Sequence, residues 1–174
     1  MALRTIRTVP DPVLRQKARR VKTVDKSLRQ LVVDMKETMA ANNGVGLAAP
    51  QVGISLRLIV ISLPRKDEPP EEYTIVNPEI IRREGERTVK EGCLSIPGYV
   101  GEIARSEKVR LRGTDLDGKE LRIRAQGLLA EVLEHETDHL NGVLYVDHLE
   151  SQDKLEKVEP PAPHPASPPP NAKS

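Results

Sequence analysis

The most informative stretch of the sequence is segment 133–140, which reads Leu133-Glu134-His135-Glu136-Thr137-Asp138-His139-Leu140. It contains the pattern H-E-x-x-H within a segment whose apolar spacing predicts a helix. Residues four apart lie on the same face of a helix, so the imidazoles of His135 and His139 can reach one metal ion. Glu136 would lie beside a water on that ion without being a ligand. The pattern therefore favours a metal centre over two surface histidines on a polar helix.

The helix predicted around this pattern runs from about residue 126 to residue 140 and ends at Asn141-Gly142. Leu128 and Val132 continue the face that carries the two histidines. We therefore expect the metal-binding face to extend a buried apolar stripe, which would keep the site dry.

A tetrahedral metal site with two histidines needs a further protein ligand. The single cysteine, Cys93, lies in segment 91–98, which reads EGCLSIPG. A lone cysteine is usually a small buried apolar residue, but Gly92 before it and Pro97-Gly98 after it indicate a backbone of special shape. A thiolate here would complete a Cys-His-His set with one position open to water. A nucleophilic Cys-His enzyme is the alternative, and it leaves the spacing of the histidines unexplained.

Segment 44–53, which reads GVGLAAPQVG, is the third unusual stretch. Its alternate glycines permit close approach of the backbone to another group. The small pair Ala48-Ala49 and the polar Gln51 suit a narrow peptide slot with one amide directed inward. A phosphate-binding loop is disfavoured because the pattern G-x-G-x-x-G is absent. A tight turn after the first helix explains this segment equally well.

The rest of the chain indicates an α+β fold. A stripe of apolar residues predicts a first helix at about residues 25–42. Segment 107–125 reads as a β-hairpin turning at Asp117-Gly118, with one face in the core and the other basic. We expect the basic face to be solvated, with a polyanion-binding role less favoured. Hairpins between two helices, rather than alternating βαβ units, favour α+β. Further strand-like runs lie at 57–62, 73–77 and 78–81.

Composition excludes several classes of protein. The 174 residues suggest one domain, and the net charge of +1 gives no indication of nucleic-acid or anionic-membrane binding. Aromatic residues make up only 2%, so a stacking platform for single-stranded nucleic acid is not expected. No apolar run reaches the roughly 18–20 residues that span a bilayer. A single cysteine allows no intramolecular disulfide, and the predicted location is the cytoplasm.

The two ends of the chain differ in composition. Residues 158–174 are so rich in proline that we predict a disordered or polyproline-like tail after a catalytic domain at residues 1–157. The start is rich in arginine and could be mistaken for a transit peptide. Segment 10–12, Pro-Asp-Pro, would break an amphipathic helix there, so we expect the start to belong to the domain.

Taken together, GVGLAAPQ (44–51), EGCLS (91–95) and HETDHL (135–140) resemble, in that order, the three signature motifs of the peptide deformylase family. The separation of Cys93 from His135 also fits. The resemblance covers about residues 4 to 150 and includes PDPVLRQKA near the start. It implies an α+β fold in which antiparallel sheets pack around a central metal-binding helix.

The resemblance also implies an activity. The chain would be a hydrolase of protein biosynthesis that removes the formyl group from the N-terminal formyl-methionine of newly made proteins and releases formate. Cys93, His135 and His139 would bind one divalent ion, Fe(II) in most of the family, with Zn(II), Ni(II) or Co(II) as substitutes. The partners would be N-formylmethionyl peptides and nascent chains near the ribosome.

Further roles follow from the same resemblance. Glu136 would transfer the proton, and the Gln51 amide and Leu94 N–H would stabilise the oxyanion. Asp138 resembles a position that pairs with a basic residue, for which Arg105 is the candidate. The residues that would bind substrate are Val45, Gly46, Gly92 and Val132. Leu128 would add an apolar contact, and the stretch from Val45 to Leu47 would pair with the peptide backbone as an added strand.

One departure from the family pattern lies inside the third motif. Glu134 stands where the family usually has Gln, and the sequence leaves open whether its charge acts near the metal or faces solvent.

Two alternative functions also stay open. A zinc endopeptidase would need His148 as a third ligand, and a non-catalytic metal-binding protein would not need Glu136.

Overall fold

The computed structural model describes residues 2–158. The helices are α1 (Lys26–Ala41) and α2 (Gly127–Leu140), with short 3-10 helices at Pro12–Arg15, Ala49–Val52, Tyr145–His148 and Gln152–Lys154. The strands are β1 (Gly46–Ala48), β2 (Leu58–Arg65), β3 (Glu68–Glu84), β4 (Arg87–Cys93), β5 (Ile96–Arg105), β6 (Lys108–Thr114), β7 (Glu120–Gln126) and β8 (Leu155–Lys157). The tail predicted at 158–174 lies outside the described residues except for Val158, so its boundary stays a prediction.

Both predicted helices are present. The Asp25 side chain accepts a hydrogen bond of 2.8 Å from the N–H of Leu28 and begins α1. α2 ends at Asn141, and Gly142 follows with a φ of 72°, in the left-handed region. Local apolar spacing and end signals therefore located these helices to within one or two residues.

Among residues 2–158, no helix combines the length and apolar character needed to cross a membrane.

Five antiparallel strands form the larger sheet, in the order β1-β2-β3-β6-β7. The predicted hairpin is its β6–β7 pair. The two runs predicted at 73–77 and 78–81 are one strand, β3, which bends at Asn77 (φ 52°). The Asn77 side chain donates to the carbonyl of Val21 and accepts from its N–H, at 2.9 and 2.8 Å. This pair of contacts holds the bend. The sequence pattern therefore breaks at Asn77, although the strand itself continues through it.

A smaller antiparallel sheet has the order β4-β5-β8. None of its strands was predicted. Glycines and Pro97 interrupt the alternation of apolar and polar residues in β4 and β5, and β8 has only three residues. β8 joins by a long-range pairing of Leu155 with Gly101. The N–H of Val158 then donates to the carbonyl of Gly98 at 2.9 Å.

The helices pack on opposite faces of the larger sheet. Leu58 and Val60 of β2 lie in the apolar cluster that contains the buried face of α1. Ile59 and Ile61, which alternate with them, lie in the cluster that contains Leu133 of α2. β2 is therefore buried on both faces, and α2 is enclosed by the fold. This architecture is α+β with antiparallel sheets around a central helix, as predicted.

Candidate metal centre

α2 carries His135 and His139 on one buried face. Their Nε2 atoms are 3.2 Å apart, as the four-residue spacing allows. Val132, on the same side of the helix, is also buried, as expected. Leu128 is 51% exposed, so the expectation that it continues the buried stripe is wrong. The reason is that the first turn of α2 lies at the mouth of a cavity, which Leu128 lines.

Cys93 reaches these histidines from the smaller sheet, at the end of β4. The strand pairing shifts between Gly92 and Cys93, and Cys93 pairs with Ile96 across a tight turn. Such irregularities commonly redirect a side chain at a functional site. The Cys93 Sγ lies 3.4 Å from the Nε2 of His139.

The three side chains fit a single metal ion. Their ligand atoms all lie within 4.8 Å of one another. An ion bound tetrahedrally at about 2.0–2.1 Å by imidazole and about 2.3 Å by thiolate would hold two nitrogens about 3.3 Å apart, and sulfur about 3.6 Å from nitrogen. The distances of 3.2 and 3.4 Å are close to these values. Burial also lowers the pKa of His139 well below its ordinary value, which favours the neutral ring that a ligand needs.

A buried carboxylate that was not among the predicted site residues holds His135. Glu91 forms a hydrogen bond with the Nδ1 of His135 and accepts two from Arg105, at 2.9 and 2.7 Å. Burial alone would raise the pKa of Glu91, but the bonds from Arg105 and His135 outweigh it and lower the pKa to about 2. A carboxylate on Nδ1 leaves Nε2 free for a metal. Glu91 precedes Cys93 by two residues, so a predicted strand there would have revealed it.

Arg105 extends this network towards the surface. Its Nη1 donates a hydrogen bond of 2.8 Å to Asp138, so the predicted pairing of these residues is confirmed. The same Asp138 oxygen lies 2.8 Å from the Nε2 of His148. His148 is thus engaged with Asp138 and does not belong to the cluster of possible metal ligands.

Gln51 reaches the centre from the third unusual segment and is 1% exposed. Its Oε1 accepts a hydrogen bond of 3.0 Å from the N–H of Ala48. Its Nε2 donates to the Oγ of Ser95 at 3.1 Å and lies 3.6 Å from the Sγ of Cys93. Because Ala48 fixes the carbonyl end of the amide, the N–H groups face the metal centre. Leu94 follows Cys93 in the turn and lines the same cavity.

Glu136 lies on the wall of that cavity, which has a volume of about 520 Å³. The carboxyl is buried, and its Oε2 has no hydrogen-bond partner among residues 2–158. Burial raises the pKa of Glu136 to about 7, and a nearby cation would lower it. A Cβ added to Gly46 would lie 2.7 Å from the Oε1 of Glu136. β1 therefore needs glycine where it passes this carboxylate.

The same cavity brings together the residues predicted to bind substrate. Val45, Gly46, Gly92 and Val132 all line it. Within residues 2–158, β1 pairs with β2 alone and is an edge strand of the larger sheet. An edge strand can add an extended peptide through backbone hydrogen bonds. The cavity therefore joins an apolar wall, a free strand edge and the metal-ligand set.

Glu134 is buried rather than directed to solvent, with 7% exposure. It accepts hydrogen bonds from the N–H and the Oγ of Ser106, at 2.7 and 3.2 Å. The Nε of Arg83 donates to it at 3.2 Å. The Glu134 carboxyl is therefore held by Ser106 and Arg83, outside the cluster of possible metal ligands.

A largely buried Cys-His-His set, a carboxyl oxygen of Glu136 without a hydrogen-bond partner among residues 2–158, and an adjoining cavity are the features of a metal-dependent hydrolase. The sequence matches the family described as Polypeptide deformylase over residues 3–155. A peptide deformylase of Dehalococcoides mccartyi is 53% identical over 160 residues, covering 92% of this chain and 94% of that protein. The chain belongs to the polypeptide deformylase family.

Solved structures of the same kind share the fold. The crystal structure of a peptide deformylase from Legionella pneumophila matches with a TM-score of 0.83 and 48% identity, over 88% of this chain and 89% of that one. The peptide deformylase from Ehrlichia chaffeensis in complex with actinonin matches with a TM-score of 0.83 and 42% identity, over 88% and 92%. The chain is accordingly an enzyme of N-terminal protein processing that removes formyl groups from nascent peptides.

Proposed function

We propose that Cys93, His135 and His139 hold one divalent metal ion and that Glu136 moves the proton during deformylation. The proposal is carried by the convergence of three segments that are distant in sequence. Gln51, Cys93 and His135 line one cavity, and the ligand atoms of Cys93, His135 and His139 lie within 4.8 Å of one another. When bound, a divalent ion lowers the pKa of water and polarises a carbonyl oxygen. The chain's own residues supply the remaining steps.

The side-chain amide of Gln51 and the backbone N–H of Leu94 would donate hydrogen bonds to the formyl oxygen as negative charge develops on it. The contacts of Gln51 with Ala48 and Ser95 hold its amide in place before substrate arrives. Preorganised donors of this kind are worth about 3–4 kcal/mol each when measured by removal.

Glu136 would accept a proton from the attacking water and return it to the leaving amine. Its support is positional, because it lines the cavity, approaches Gly46 and has an Oε2 without a hydrogen-bond partner in the described part of the chain. A carboxylate in hydrogen-bond reach of the water suffices as the base. Formate and a free α-amino terminus would leave the site.

The substrate would lie along the edge of β1. Val45 and Val132 would contact the methionine side chain, with Leu128 at the mouth of the cavity. Gly46 and Gly92 would let the peptide backbone approach closely, since neither carries a Cβ. The free edge of β1 would pair with the extended peptide.

For the metal we propose Fe(II), with Zn(II), Ni(II) or Co(II) as substitutes, since a Cys-His-His set is compatible with all of these. Metal analysis after anaerobic purification tests this directly. We expect one iron per chain and a loss of activity when the protein is exposed to air. Fully active protein that contains only zinc after anaerobic purification would contradict the choice of iron.

The assay that tests the function compares two peptides. We expect formate release from a short formyl-methionyl peptide and no internal cleavage of an unformylated peptide. Internal cleavage without formate would instead favour a zinc endopeptidase. The pairing of His148 with Asp138 argues against that alternative, because the endopeptidase would need His148 as a ligand. A metal-loaded chain with neither activity would be a non-catalytic binding protein.

We also propose that the enzyme works in the cytoplasm on nascent chains near the ribosome. The support is the substrate itself, since a formylated N-terminus is found on a protein that has just been made. Cell fractionation with an antibody to the chain tests the location. Recovery with the membrane fraction alone would contradict it.

A further inference from the structure

The outer face of the larger sheet is strongly basic, and deformylation does not use it. Val109, Leu111 and Ala125 of β6 and β7 are buried in the core, so the residues that alternate with them point outward. We call this outer surface the basic sheet face. Its six cations are Arg82, Lys108, Arg110, Arg112, Arg122 and Arg124.

The strand register places these cations opposite one another. Arg110 lies between Arg82 of β3 and Arg124 of β7, and Arg112 lies opposite Arg122. Like charges directly opposite in neighbouring strands destabilise a sheet. The sheet therefore retains an unfavourable arrangement that a bound anion would relieve.

Carboxylates of the same face neutralise half of this charge. The ion pairs are Arg82 with Glu84 at 2.7 Å, Arg112 with Glu79 at 3.1 Å and Arg122 with Glu120 at 3.0 Å. In the part of the chain that the structure describes, Lys108, Arg110 and Arg124 form no ion pair. All three line a concavity of about 370 Å³. Positive charge is thus concentrated where the surface is hollow.

We propose that the basic sheet face binds the phosphate backbone of helical RNA. Guanidinium groups bind phosphate oxygens in pairs. Neighbouring strands lie about 4.8 Å apart and alternate residues about 7 Å apart, so the cations cover an area that suits a polyanion better than one phosphate. The chain has no Phe and no Trp, and its three Tyr lie in the core cluster or in the smaller sheet and its surroundings, so the basic sheet face offers no ring for stacking on bases. Double-helical RNA is bound through its shape and phosphates instead.

The inference rests on the proposal that the enzyme meets nascent chains near the ribosome, which is largely RNA. β7 continues directly into α2, so that Gln126 lines the basic concavity and Leu128 lines the catalytic cavity. RNA on the basic sheet face would therefore lie close to the mouth of the catalytic cavity. The net charge of +1, which argued against nucleic-acid binding, averages this face with acidic surface elsewhere.

The test measures binding of a fluorescent RNA hairpin of about 16 base pairs to the full chain by anisotropy. We expect the affinity to fall steeply as salt rises from about 50 to about 200 mM. The double variant Arg110→Gln/Arg124→Gln should bind at least about tenfold more weakly, and its salt slope should be smaller by about two. Absence of salt-dependent binding by the unchanged chain would overturn the proposal.

A matched control removes two exposed cations from the end of the described chain, at the edge of the smaller sheet, in the double variant Lys154→Gln/Lys157→Gln. It should bind RNA like the unchanged chain, and an equal loss in this control would also overturn the proposal. Formate release from a short formyl-methionyl peptide should be the same in all three proteins. If the unchanged chain releases formate but does not bind RNA, the RNA-binding inference is wrong and the proposed function stands. If the unchanged chain releases no formate, the proposed function fails.

Melting temperatures keep the test independent of folding. Removal of facing arginines should leave the melting temperature unchanged or raise it, because repulsion across the strands is relieved. RNA should raise the melting temperature of the unchanged chain. The single variant Arg124→Gln should show about half the change in salt slope. Binding to phosphatidylserine vesicles without binding to RNA would refute the proposal in favour of a membrane surface.

Discussion

Helix α2 and the β4–β5 hairpin contribute to the same candidate metal centre by different means. α2 supplies His135, Glu136 and His139 through the local period of the helix. The hairpin supplies Cys93, and it brings Glu91 onto Arg105 although these two residues are fourteen positions apart. The helix thus carries the proposed base, whereas the hairpin carries the proposed cysteine ligand and Glu91, which holds His135. The two regions should therefore fail differently when they are altered.

The largest effect is expected at Cys93 of the hairpin. Cys93→Ala leaves two histidines, which do not complete a tetrahedral site, so metal and turnover should both be lost. Metal content after dialysis and formate release measure this. Ser95→Ala, in the same turn, is the matched control and should keep the metal. One tightly held metal per chain in Cys93→Ala would show that the hairpin does not supply a ligand.

On the helix, Glu136→Gln should separate chemistry from metal binding. The amide cannot take the proton, so kcat should fall about 100- to 10,000-fold, while the metal content stays at one per chain. Glu131→Gln is the matched control, because Glu131 lines the same cavity on the same helix but forms an ion pair with Arg87 at 3.6 Å. It should keep most of the turnover. Full activity of Glu136→Gln would remove its assigned role.

A smaller effect is expected from the hairpin carboxylate that orients His135. Glu91→Gln keeps the shape of the side chain but weakens its bonds with His135 and Arg105, so metal affinity should fall about 10- to 100-fold. Competition with a chelator measures this affinity. Lys90→Gln, next to it in β4 and paired with Glu156 at 2.7 Å, should leave the affinity unchanged. Unchanged affinity in Glu91→Gln would show that orientation by the hairpin is dispensable.

The smallest effect should come from the helix residue that departs from the family pattern. Glu134→Gln can still accept the hydrogen bond from the Ser106 N–H, so the free energy of unfolding should fall by about 1 kcal/mol or less. Glu134→Leu leaves that buried N–H without an acceptor and should cost about 1–3 kcal/mol. Urea denaturation measures both. A large loss of kcat in Glu134→Gln would mean that its charge acts on the centre.

The helices were predictable because their signals are local. The apolar stripe of α1 and the H-E-x-x-H pattern of α2 repeat over a few residues, and caps such as Asp25 lie next to them. The β4–β5 hairpin was missed because Gly92, Pro97 and Gly98 interrupt its alternation, and its stability depends on pairing between strands. With the strand unpredicted, Glu91 went unnoticed as the partner of His135.

By itself, the sequence determined the α+β class, both helices and the family that the order of its motifs resembles, and it predicted Cys93, the two histidines, Glu136 and Gln51 as site residues. Only the tertiary structure decided how Cys93 and Gln51 approach α2, that Glu91 holds His135 and that Glu134 is buried against Ser106. Strand register also decided which arginines face one another on the basic sheet face. The physical reason is that the faces of a helix are set by residues three and four positions apart. Strand pairing instead joins residues that are far apart in the sequence, and their spacing does not predict which of them will pair.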